Sequence, residues 1–124
     1  MPTLITLNKR ADFKIVQTKG EKWITKAFVV LAAPSSHPEP TAIRFGLIAS
    51  GKLGGAVIRN RARRRLREVI RAILPEQGQT DIMYVIIARS EALTLPFENL
   101  QKDFLWALNK IHQRLKDKDN AVSE

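Results

Sequence analysis

The chain has 124 residues, 44% of them hydrophobic and 27% charged, with a formal net charge of +9. That length supports one domain around one core, residues 1–124, and the apolar content excludes a disordered basic tail. Cysteine is absent, which excludes disulfides and thiolate metal sites and agrees with a reducing cytoplasm; the N-terminal apolar run is too short for a signal peptide, and no stretch reaches membrane-spanning length.

Asn8 is placed to cap a first helix over about residues 9–18, which Gly20 ends. Phe13 and Val16, three apart, share one of its faces. A short strand is compatible with residues 21–24, and residues 26–33 read as a strand buried on both sides. The loop that follows, residues 34–40, holds three prolines, which forbid sheet continuation. Residues 42–49 form a further strand with Ile43, Phe45, Leu47 and Ala49 on one face. The length of the loop predicts that this strand pairs antiparallel with the one before it.

The most unusual stretch is residues 51–71. From Arg59 to Arg71 it holds seven arginines, no lysine and one acid, Glu68, so it supplies +6 of the net +9. Ile58, Ala62, Leu66, Val69, Ile70 and Ile73 recur at three and four, the stripe of a packed helix, which Pro75 and Gly78 end. Asn60, Arg64, Arg67 and Arg71 fall opposite that stripe. Arg61, Arg65 and Glu68 lie on one flank, Arg59 and Arg63 on the other. A solvated face is the ordinary explanation of a charge run, but such faces mix signs or pair Lys with Glu at i,i+4. An array of arginine alone repels itself unless a polyanion is the partner. The helix N-terminus behind Gly51, Gly54 and Gly55, flanked by Lys52 and Arg59, would itself attract a phosphate, although Gly-Lys-Leu-Gly-Gly is not a P-loop.

Residues 81–88 are almost wholly apolar and read as a central strand. Strand, helix, strand over about forty residues is a crossover unit, so strands 42–49 and 81–88 are expected to be parallel. A last helix starts near Pro96 with a stripe of Phe97, Leu100, Phe104, Leu108, Ile111 and Leu115. Trp106 lies opposite that stripe, either covering a neighbouring segment or sitting on a partner surface. The charged tail, residues 117–124, is expected to fray. The sum is an α+β fold, a single-layer mixed sheet of about four strands packed by helices in the order α-β-β-(β)-α-β-α.

Catalytic groups are lacking. The acids are scattered, with no cluster for two-metal hydrolysis. His37 and His112 read as surface residues with neither a ligand spacing nor a partner, and Ser50 has no base to activate it. This is the pattern of a nucleic-acid binder without a catalytic or metal centre of its own. No positioning helix precedes the arginine helix as in helix-turn-helix proteins, and no heptads follow it, so duplex DNA fits less well. Arginine suits folded RNA, which it pairs with at phosphates and stacks on at bases.

Gly54-Gly-Ala-Val-Ile-Arg-Asn-Arg-Ala-Arg-Arg-Arg-Leu-Arg-Glu68 resembles the signature, built on Arg-Asn-Arg, of the bacterial ribonuclease P protein subunit. Asp12-Phe13 with Val16 and Gly20 looks like that family's first helix. Phe45-Gly46-Leu47 leading to Ser50 looks like the strand before the signature, and Asp81 through Arg89 like the strand after it. The resemblance implies a left-handed crossover, against the general rule. It also implies an endoribonuclease whose RNA subunit removes the 5′ leader of precursor tRNA with Mg²⁺ held mainly by the RNA, one protein serving each RNA. On the matching positions Arg59, Asn60, Arg61, Arg63, Arg64 and Arg67 would contact the catalytic RNA, while Phe13, Ser50, Lys52 and Arg89 would line or border the leader cleft. Gln17 and Leu31 stand in that cleft where the family commonly has aromatics, and Ser50-Gly51-Lys52 replaces Ser-Lys-Lys. The leader contact is therefore expected to be weaker and more polar here. Arg65, where the family often has an apolar residue, adds a contact or faces solvent. The alternative is a general RNA-binding or ribosome-associated module, and beyond it a DNA-binding regulator.

Overall fold

A computed structural model describes residues 2–122, with side chains described through Lys118. The elements are β1 Thr3–Thr6, α1 Arg10–Lys19, β2 Glu21–Ile24, β3 Phe28–Pro34, β4 Ala42–Ile48, α2 Ala56–Gln77, β5 Ile82–Ala88 and α3 Phe97–Val122, with 3₁₀ turns at Gly51–Leu53 and Ser90–Leu93. The strands form one five-stranded mixed sheet in the order β1-β4-β5-β3-β2. β1, β4 and β5 run parallel, while β3 is antiparallel to β5 and β2 to β3. No helix among the described residues is long and apolar enough to cross a membrane.

β5 is central, as its Ile-Met-Tyr-Val-Ile-Ile run requires: both faces are covered. On one face Ile82, Tyr84, Ile86 and Ala88 join Phe28, Val30, Ile43 and Phe45 beneath α2 and α3. On the other, Met83 and Val85 join Leu31, Ala33, Leu7 and the Val16 side of α1. The first core is sealed by Phe104 of α3, edge-on to Phe28 with centroids 5.9 Å apart. α1 is moored by its buried Asp12, whose Oδ1 accepts a hydrogen bond of 3.0 Å from the Ser36 hydroxyl.

The α+β class and the parallel crossover β4–α2–β5 hold, and so does the strand at β2. Several expectations do not. β1 was not foreseen, so there are five strands rather than about four. β3 and β4 are not paired: they run in opposite directions, but β5 lies between them and takes the ladder of each. Lys9, not Asn8, occupies the cap position of α1, and no side chain caps it. α2 runs through Pro75 to Gln77 and stops at Gly78, whose N–H bonds the Leu74 carbonyl at 2.7 Å. Pro75 has no N–H for the Arg71 carbonyl, but Arg71 is exposed, where water can take that bond, and only two helical residues follow. The buried stripe of α2 is Ala62, Leu66, Val69, Ile70 and Leu74, with Ile73 half-buried and Ile58 41% exposed. The tail expected to fray continues as helix to Val122, and residues 123–124 of it lie outside the described residues.

His112 is also not the surface residue expected. Its Nε2 lies 2.6 Å from the Tyr84 hydroxyl, which accepts a hydrogen bond of 2.9 Å from the Gln79 N–H. Burial holds the His112 pKa below the ordinary histidine value, with Asp81 opposing the shift. Burial likewise pushes the Tyr84 pKa far up; the Gln79 amide opposes this, and Asp81 adds to it. His37 is exposed in the proline loop, as expected.

Candidate nucleic-acid interface

The first half of the site is α2. Helix formers fill it and its apolar stripe is buried against the sheet and α3, so the arginines must distribute over what remains. Asn60, Arg61, Arg64, Arg67 and Arg71 are exposed. Among the described residues no arginine of α2 forms an ion pair with a carboxylate; the two ion pairs there are Arg44–Glu39 and Lys118–Glu21. Even Glu68, on the same helix, pairs with none of them.

Two arginines of the run also bind the protein's own groups. Arg65 does not face solvent: its guanidinium donates to the Leu93 carbonyl at 2.7 Å and to the Leu95 carbonyl, and it lies 5.1 Å from the centroid of the Phe97 ring. It clamps the turn between β5 and α3. Arg63 donates to Asn60 Oδ1 at 3.1 Å and to the Ala49 carbonyl at 3.4 Å, so it ties the helix to the end of β4. Arg59 is half-buried, and its Nε has no protein partner.

The α2 N-terminus adds to this surface. Gly55 occupies the cap position with no side-chain hydrogen bond, which leaves first-turn amides and the positive dipole end open to an anion. Gly54 has φ 143°, open to glycine alone, and a Cβ there would meet Ile58 Cδ1 at 2.8 Å. Val57 beside it is 83% exposed.

The second half lies on the α1 face of the sheet. Strand alternation and register place Leu31, Val85 and Gly46 in one row across β3, β5 and β4, and Val29, Ile87 and Ile48 in the next, with Ile24 of β2 extending it. α1 covers the first row, with the Phe13 ring set over Gly46. The second row is left half-buried, and Ile24 is exposed. Ser50 and Arg89, each two residues beyond Ile48 and Ile87 on extended backbone, continue the same face. Arg89 is fixed there by its 2.7 Å hydrogen bond to the Thr25 carbonyl. The result is an apolar trough with cations at one end, bordered by α1.

Of the six residues expected at the leader cleft, strand register and the Phe13–Gly46 contact bring four to this face, Phe13, Leu31, Ser50 and Arg89. Phe13 is half-buried, Ser50 and Arg89 are exposed at the rim, and Leu31 is buried beneath α1; Gln17, one turn after Phe13, and Lys52, two residues after Ser50, are exposed. The open row Ile24, Val29, Ile48 and Ile87 was not singled out from sequence. Its signal was present: these residues fall on the strand faces opposite Phe28, Ile43 and Phe45, yet are apolar where a one-sided sheet would be polar. Arg63 links the two halves, because the carbonyl it holds belongs to the residue before Ser50.

Comparison with known proteins agrees with this arrangement. The family model described as Ribonuclease P matches residues 1–112. A ribonuclease P protein component of Paramagnetospirillum magneticum is 40% identical over 107 residues, covering 85% of this chain and 80% of that one. Among solved structures, the RNase P protein of Thermotoga maritima superposes with a TM-score of 0.71 at 25% identity over 86% of this chain and 97% of its own. That of Staphylococcus aureus gives 0.64 at 26% identity over 90% and 94%.

Proposed function

Because the chain belongs to the ribonuclease P protein family, and is thereby the protein subunit of a tRNA-processing endoribonuclease, we propose that its two surfaces divide the work of that ribonucleoprotein. The exposed face of α2 holds the catalytic RNA, through Arg59, Asn60, Arg61, Arg63, Arg64 and Arg67. The trough beside α1 takes the 5′ leader of precursor tRNA, with Phe13 and Gln17 at its side and Ser50, Lys52 and Arg89 at its rim, while Leu31, expected in that cleft, is buried beneath α1 and supports Phe13 instead. The chain acts as a single RNA-binding domain, one copy per RNA, in a cytoplasmic particle.

The observation that carries this reading is the arginine face without carboxylate partners. A guanidinium array left uncompensated by its own protein is stabilised by phosphates, which it meets bidentately. The trough supports the second assignment, since an extended single strand needs an apolar floor for bases and cations along its backbone.

Mg²⁺ belongs to the RNA in this reading. That assignment is supported by the ion's chemistry, since Mg²⁺ is commonly held through phosphates and keeps several waters. The chain's own contribution is to bind, orient and screen charge. His112 is half-buried, and its Nε2 is engaged by Tyr84. The test is cleavage of precursor tRNA by the nuclease-free protein, by the catalytic RNA and by both, each with Mg²⁺. Cleavage at the mature 5′ end is expected with the RNA present and absent with protein alone. RNA-free cleavage would refute the division of labour.

A further inference from the structure

Trp23 and Trp106 are the two tryptophans of the chain, and only one of them serves the core. Trp23, on the α3 side of β2, packs against the main cluster. Trp106 leans on it from α3, ring centroids 6.0 Å apart at an interplanar angle of 59°, yet keeps 56% of its surface exposed. Tilted rings do not stack on one another, so Trp106 retains a face for another flat group. A half-open pocket of about 580 Å³ lies beside the two rings, a volume suited to one small ligand or one base.

Its other walls suggest which. The β2–β3 turn contributes Ile24 and Lys26, β5 ends there in Arg89, and α3 offers Asn99 and Asp103. Two of these residues, Ile24 and Arg89, also belong to the trough on the α1 face. The pocket is thus the continuation of that trough around the β2–β3 turn. Arg89, held by the Thr25 carbonyl at 2.7 Å, stands on the ridge between the two. Lys26 and Arg89 suit the phosphate of a nucleotide, and the Asn99 amide or the carboxylates Glu91 and Asp103 can accept from the amino edge of its base. A further cation, Arg114, sits 4.8 Å from the Trp23 ring centroid and is fixed by the Lys22 carbonyl at 2.8 Å. It stiffens the ring that backs Trp106.

We propose that this pocket is a second subsite for single-stranded RNA, in which a base of a longer 5′ leader stacks on Trp106 after crossing the row Ile48, Ile87, Val29 and Ile24. The proposal rests on the reading of the trough as the leader path. Crossing that row spans three strand spacings, about 14 Å, so leaders too short to pass the turn do not reach it.

The test uses the complex reconstituted with catalytic RNA, mature tRNA, and precursors with leaders of about 4 and about 16 nucleotides, the ends of the range over which single-strand sites extend; about 4 stacked nucleotides span no more than the row itself. Trp106→Ala is expected to weaken the long-leader precursor at least about fivefold and to leave the short-leader precursor and mature tRNA unchanged. Trp106→Phe should restore most of the loss. Because both tryptophans lie at the pocket, wild-type fluorescence should be quenched by the long leader more than by the short one, a readout that needs no variant. Equal effects on both leader lengths, no effect at all, or no length-dependent quenching would overturn the subsite. Lys52→Glu decides the trough separately: it should lower precursor affinity relative to mature tRNA at both lengths. If it does and Trp106→Ala does not discriminate, the trough stands and the subsite falls; if Lys52→Glu has no such effect, both fall.

Discussion

The ring of Phe13 lies so close over Gly46 that a methyl group added at residue 46 would stand 2.3 Å from Cε1 of that ring. This close approach fixes the distance between α1 and β4, and with it the width of the trough. Gly46→Ala should destabilise the protein by about 1–3 kcal/mol through overpacking. Phe13→Ala, at a half-buried position, should cost less than the roughly 3–5 kcal/mol of a fully buried phenylalanine. The double variant should be more stable than the sum of the two, since the clash disappears with the ring. Urea unfolding of the four proteins measures the coupling, and strict additivity would mean that the ring is free to swing away.

Arg65 and Arg64 are neighbours in sequence with opposite duties. Arg65→Ala strands the Leu93 and Leu95 carbonyls and should cost about 1.5–3 kcal/mol of stability, the worth of hydrogen bonds to a charged group. Arg65→Lys should recover only part, because an ammonium cannot reproduce a fork that meets two carbonyls. RNA affinity measured well below the unfolding transition should be unchanged. A variant of normal stability and weak RNA binding would place Arg65 at the interface.

The Tyr84–His112 pair makes stability depend on pH. Burial lowers the folded-state pKa of His112 beneath its unfolded value near 6.5. Its contribution is therefore fully present above pH about 6.5 and declines as pH falls from there toward the folded pKa, because the unfolded chain takes up the proton first. Asp81 opposes the decline without cancelling it. Midpoints of denaturant unfolding between pH 8 and pH 5 should fall for the wild type by more than for His112→Gln, which cannot titrate. Parallel profiles would mean that His112 charges as readily folded as unfolded.

Gln17 is exposed one helical turn after Phe13, where the family commonly carries an aromatic. Gln17→Phe should tighten precursor tRNA relative to mature tRNA in the reconstituted complex by about 1–3 kcal/mol, the value of one stacked base. An unchanged ratio with a folded variant would remove Gln17 from the leader path.

What the sequence disclosed follows from the range of the forces involved. The stripe Ala62, Leu66, Val69 and Ile70 was readable because helical periodicity is local, and β5 because both its faces are apolar. The pairing of β3 and β4 was misread because β5, which separates them, is supplied by a segment some forty residues later. β1 escaped notice as a four-residue edge strand with little of its own to bury. In the arginine run the helical wheel separated Arg64 and Arg67 from the core, but nothing local says that Arg65 reaches two carbonyls 28 and 30 residues away. His112 looked idle for the same reason, since Tyr84 lies 28 residues before it. The candidate site was legible as chemistry at the arginines and through family resemblance at the trough. The open apolar row became visible only once strand register was known.

The central claim, that the exposed arginines of α2 hold the catalytic RNA, is tested most directly by the salt dependence of that binding in wild type and in Arg64→Ala/Arg67→Ala. Both side chains are exposed and neither makes an ion pair among the described residues, so the unfolding midpoint should not move. Affinity should fall, and the slope of log K against log salt should shrink by roughly 0.7–0.9 for each phosphate that the variant no longer neutralises. A folded double variant with the wild-type affinity and slope would contradict the claim.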